Sequence, residues 1–141
     1  MAGAQTVGAQ SVALDAPLEF NGLGGNPEET FRLARLAGEA ASEKKAENTV
    51  ILEVGPLIGI TDYFVITSAA NPRQVRTVAE EIEAKVKQSG RSGSPSVEGL
   101  DDARWVLLDY GDFVCHVFLE EARAYYDIER LWADAPRVEI D

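Results

Sequence analysis

Apolar positions along the chain follow two rhythms. From Asn26-Pro27-Glu28-Glu29 onward, Phe31, Ala34, Leu36, Ala37, Ala40 and Ala41 recur at helical spacing. Asn26 can cap the free amides, Pro27 sits where a missing N–H costs nothing, and Glu29 holds the capping-box position. The spacing predicts a helix to about Ala46. Period two takes over at Asn48–Val54, with Val50, Leu52 and Val54 on one face, and Gly55-Pro56 ends that strand. Asp62–Thr67 is apolar on both faces and predicts a central strand.

Asn71-Pro72-Arg73-Gln74 repeats the first helix start, and Val75, Val78, Ala79, Ile82 and Val86 form the stripe to be buried before Gly90. After a Gly/Ser loop, with a short extra strand near Ser96, Arg104–Tyr110 and Phe113–Leu119 predict a hairpin turning at Gly111-Asp112. A last helix carries Tyr125, Tyr126, Ile128, Leu131 and Trp132, followed by an irregular acidic end. The order predicts an α/β domain over residues 26–136, a mixed sheet of about four or five strands packed by helices. Residues 1–25 are expected to be a flexible tail and 137–141 a short C-terminal tail.

Composition narrows the function classes. With 13 Lys and Arg against 24 Asp and Glu, the 141-residue chain carries a net charge of −11, suited to a basic protein partner rather than a phosphate backbone. Little direct nucleic-acid binding is therefore expected. One cysteine excludes an internal disulfide and a Cys-rich zinc site. No apolar run reaches the roughly 18 residues of a spanning helix, and the first 26 residues lack Lys and Arg. No membrane partner and a cytoplasmic location are the expectations.

Candidate chemistry is sparse. His116, the only histidine, has no second His or Cys to share a metal, so a hydrogen-bonded structural role is expected. Cys115 alternates to the opposite strand face and predicts an inert buried thiol. Asp62, Asp109 and Asp112 form the alternative, a carboxylate set for a metal-dependent nucleotidyltransferase or phosphohydrolase. Gly93-Ser94 supplies that family's turn, but Asp109 and Asp112 straddle a hairpin turn instead of sharing a strand. Trp105, Leu107 and Asp109 share one strand face. If helices cover only the other side, that face carries a Trp with an acid beside it, a favoured interface pattern.

Several stretches together resemble the ribosomal silencing factor, or Iojap-like, family. They are Asp62 to Val75, then Glu98-Gly99 with Trp105 to Asp112 and His116 to Phe118, then Arg123, Tyr126, Glu129, Leu131 and Trp132. The resemblance covers residues 28 to 136 in order. It implies a nucleotidyltransferase-like fold without the catalytic motif, no enzymatic activity, and no cofactor or metal. It also implies binding to the large ribosomal subunit through ribosomal protein fourteen, where the small subunit would dock. Translation is thereby repressed when nutrients are scarce, and relatives in organelles assist large-subunit assembly. Residues 91–141 hold 5 basic and 12 acidic residues, so the acidity is concentrated in the matched C-terminal half.

The contacts expected are Trp105 as apolar anchor, Asp109 as charge partner for Lys or Arg, Tyr110 as a mixed contact, and Asp112 next. Strand alternation does not put Trp105 and Tyr110 on one flat face. An exposed Trp face could also pair with its twin, giving a homodimer of the free protein.

Overall fold

The computed structural model describes residues 26–140, so the tail expected over residues 1–25 lies outside the described residues. The elements run α1 (Pro27–Glu43), β1 (Glu47–Glu53), α2 (Gly55–Ile58), β2 (Tyr63–Ala69), α3 (Pro72–Gln88), β3 (Ser96–Glu98), β4 (Trp105–Asp109), β5 (Phe113–Leu119), α4 (Glu120–Tyr126), α5 (Ile128–Leu131) and β6 (Arg137–Glu139). They form a mixed six-stranded sheet in the order β3-β4-β5-β2-β1-β6. The pair β2–β5 is parallel and every other neighbouring pair is antiparallel.

Both Asn-Pro starts work as the residue types require. Asn26 Oδ1 accepts the amides of Glu28 and Glu29, at 2.8 and 3.2 Å. Asn71 Oδ1 accepts the Gln74 amide at 2.9 Å. Gln74 also reaches back, accepting the Ala70 amide through Oε1 and donating from Nε2 to the carbonyls of Lys44 and Lys45. That side chain thus ties the start of α3 to the end of α1. The predicted α3 stripe, Val75, Val78, Ala79, Ile82 and Val86, is wholly buried. On α1, Ala34, Ala37, Ala40 and Ala41 are buried as well. Small alanines let the helix approach the sheet closely; a Cβ at Gly38 would lie 3.1 Å from Ile140 and 3.4 Å from Thr49.

β2 and β5 occupy the middle of the sheet and bury residues on both faces, as their unbroken apolar runs require. Residues 137–139, expected as part of an irregular tail, instead form β6, pairing Val138 with Ile51 of β1. The sheet therefore has one strand more than the upper count expected. The last helix is also not continuous. Asp127 adopts φ +49°, a left-handed elbow that ends α4 and separates it from α5.

Candidate functional site

The two faces of the sheet are covered differently. On β4, Val106 and Leu108 are buried, Trp105 and Leu107 half-buried and Asp109 exposed. The buried side is the one α3 packs on. The open side continues across the hairpin, where Trp105 pairs with Phe118, Leu107 with His116 and Asp109 with Val114. At the sheet edge Glu98 pairs with Leu107, which puts its exposed carboxylate on the same face. The C-terminal segment crosses part of this face. Tyr126 sits 4.9 Å from the Trp105 ring, and Trp132 meets Phe64 edge-on at 5.7 Å. The outcome is an apolar strip, Trp105 and Leu107, flanked by the acids Glu98 and Asp109 and bounded by Tyr126, 47% exposed.

Trp105 is held on three sides. It stacks on Phe118 at 4.9 Å and 30°, lies under Tyr126, and donates its indole N–H to His116 Nδ1 at 3.1 Å. His116 is thus the hydrogen-bonded, buried histidine its strand pattern suggested. Burial drives its pKa down to about 4, so the ring is neutral at physiological pH. Cys115 faces the opposite way, fully buried, and burial pushes its thiol well above the ordinary range. Asp109 Oδ1 accepts the Gly111 amide at 2.8 Å, so the same carboxylate that faces solvent also shapes the hairpin turn.

Tyr110 and Asp112, both expected as partner contacts, are buried and do not join this surface. Tyr110 alternates to the covered face, buried and stacked on Phe113 at 4.7 Å, with the Arg91 guanidinium 5.2 Å from its ring centre. Asp112 is buried at the turn and paired with Arg91 at 2.8 Å. Arg91 Nη2 also donates to the Tyr110 carbonyl at 2.7 Å. Both residues therefore fasten the hairpin turn to the loop after α3. Strand alternation had already placed Leu107 on this face; Glu98 and Tyr126 are the surface residues missed from the sequence. The short strand near Ser96 was legible, and its register against β4 is what places Glu98.

The fold brings Asp62 beside Asp112 and engages the carboxylates of the alternative set in structural contacts. Asp109 serves the turn and Asp112 is neutralised by Arg91. Asp62 lies at the knot where its carbonyl accepts the amides of Val54 and Gly55, and its own amide donates to Asp112. Among the described residues no three His, Cys, Asp or Glu side chains gather as a metal set. Burial, then the charges of Asp112 and Glu53, raise the Asp62 carboxyl from 3.8 to about 6. A proton is thus held more tightly in the folded state, so this group's contribution to stability is complete below about pH 4 and is lost as pH rises through 6. Asp62→Asn should accordingly raise the melting temperature at pH 7.5 and much less at pH 4. Equal shifts at the two pH values would contradict the assignment.

The matching sequence model is that of "ribosomal silencing factor during starvation", over residues 27–141. The chain belongs to the ribosomal silencing factor family. It is 43% identical over 109 residues to a ribosomal silencing factor from Halalkalibacterium halodurans, covering 77% of this chain and 92% of that protein. The crystal structure of a Chromobacterium violaceum protein superposes with TM-score 0.70 at 33% identity, covering 74% of this chain and 86% of that one. A mouse protein named for mitochondrial assembly of the ribosomal large subunit is 30% identical over 92 residues, 64% of this chain and 40% of its own length.

The silencing factor match extends through β6, and the geometry shows how that C-terminal segment is held. Glu129 of α5 receives the Arg123 guanidinium at 2.8 Å and lies 3.5 Å from Arg137 of β6. The hydrogen bond from Arg123 keeps the Glu129 carboxyl below its ordinary range. Arg123 also donates to Ser68 Oγ at 3.1 Å. Three of the residues that carried the resemblance, Arg123, Glu129 and Trp132, therefore seat this segment on the sheet. Among the described residues no helix is long and apolar enough to cross a membrane.

Proposed function

We propose that this silencing factor binds the large ribosomal subunit through ribosomal protein fourteen and sterically blocks joining of the small subunit, repressing translation under nutrient limitation. The observation that carries this reading is the apolar strip of Trp105 and Leu107 between two exposed acids, on the sheet face that α3 leaves open, in a member of this family. A ring fixed before contact, with complementary charge around it, is how interfaces concentrate affinity. The net charge of −11 speeds encounter with a basic ribosomal protein. No bond needs to be made or broken: the bound domain has only to fill the intersubunit gap. The mouse relative's name supports a further role in large-subunit assembly. Pairing of two free copies through the same face would compete with the ribosome.

Co-sedimentation with isolated large subunits, with small subunits as control and salt varied, tests the proposal. Saturable binding to large subunits alone is expected, weakening as salt rises. Absence of binding at low salt would refute it. Asp109→Asn, which can still accept the Gly111 amide, should weaken binding about two- to fivefold and flatten the salt dependence. Asp109→Lys should weaken it further. Unchanged affinity in a folded Asp109→Lys protein would remove Asp109 from the interface.

A further inference from the structure

We infer that His116 is a positioning residue, which orients the Trp105 indole for docking by accepting its N–H. The inference rests on the docking proposal above.

An indole has a single polar handle, its N–H, and here that donor points inward to His116 Nδ1 at 3.1 Å. For Nδ1 to accept, the neutral ring must carry its proton on Nε2. That atom is buried and finds no acceptor among the described residues. A buried donor without a partner costs stability, and an apolar side chain of similar shape would avoid the cost. The surroundings would accommodate one: the His116 ring stands edge-on to Phe64 at 4.6 Å and parallel to Phe118 at 6.3 Å. Packing alone therefore gives no reason for a histidine here, whereas the bond from Trp105 does. Stacking on Phe118 limits the tilt of the indole but does not by itself decide between an N–H edge that points inward and one that points outward. The directional N–H···N bond selects one. The ring is then ordered during folding, and binding does not have to freeze it.

The test separates the acceptor from the ring. His116→Asn keeps an acceptor near Nδ1 and discards the ring; His116→Phe keeps a ring and discards the acceptor, with His116→Leu as a smaller apolar variant should Phe disturb folding. The chain has two tryptophans, so a Trp132→Phe background leaves Trp105 as the sole indole reporter. In that background the indole ¹⁵N should show scalar coupling through the hydrogen bond to an imidazole nitrogen.

With His116→Phe or His116→Leu, the indole proton should exchange faster, and binding to large subunits should weaken about tenfold. His116→Asn should keep slow exchange and bind within about twofold of the parent. A packing role predicts the reverse order, with Phe tolerated and Asn damaging. Tight binding by folded His116→Phe and His116→Leu, or absence of the coupling in the free parent, would overturn the inference alone. A parent that binds no large subunits would overturn the docking proposal, and this inference with it.

Discussion

Replacing Trp105 by Ala should weaken binding to the large ribosomal subunit by about 2 kcal/mol or more, roughly thirtyfold. The magnitude follows from where the ring sits. It is half-buried before any partner arrives, stacked on Phe118 and covered along one side by Tyr126. Little conformational freedom is left to lose, so most of the area it buries on docking counts toward affinity. The flanking carboxylates of Glu98 and Asp109 should add smaller, salt-sensitive increments. Removal of the ring also deletes internal contacts, so the variant's circular dichroism and urea midpoint must be checked alongside its binding isotherm. Unchanged affinity in a folded Trp105→Ala protein would take this face out of the interface.

Among the glycines of the described residues, Gly99→Ala should be the most damaging substitution, costing at least about 3 kcal/mol of stability. Gly99 adopts φ +93°, and a Cβ there would overlap the Trp105 carbonyl oxygen. The loop it opens is otherwise rigidly held. Its own carbonyl accepts the Ala103 amide at 2.9 Å, and Arg76 of α3 donates to the carbonyls of Leu100 and Asp101 at 3.0 and 2.7 Å. The backbone therefore cannot move aside, and the strain would pass directly into the strand that presents Trp105. Gly111→Ala is the matched control. Its φ is +90°, but a Cβ there meets nothing within 4 Å, so only the left-handed conformation is penalised, at about 1 kcal/mol. Urea denaturation of the two variants measures the difference. Equal midpoints would show that the close approach to Trp105 is unimportant.

The elements legible from the chain were those whose signals are local. Two Asn-Pro starts, the stripe from Val75 to Val86 and the Gly111 turn each depend on residues a few positions apart, and each forms as expected. β6 was not legible, because Arg137, Val138 and Glu139 are all exposed and three residues are too few to establish a period. They form a strand because β1 offers an unpaired edge, which is a property of the assembled sheet. The break at Asp127 has the same origin. The stripe through Ile128 and Trp132 suits one helix, but in the fold a left-handed turn at Asp127 precedes the segment that sets Trp132 against Phe64.

The site divides along the same line. Strand alternation by itself put Trp105 with Asp109 and separated Tyr110 from them, and the acidic composition pointed to a basic partner. Alternation is silent about which face a helix will cover, and it says nothing of long-range register. Only the tertiary structure buried Tyr110 beneath Arg91, turned Asp112 into that arginine's ion-pair partner, brought Glu98 beside Leu107 and set His116 under the indole. Those four outcomes depend on pairings between separate elements, 9 to 21 residues apart in the chain. Their energies come from contacts that exist only once the sheet has closed.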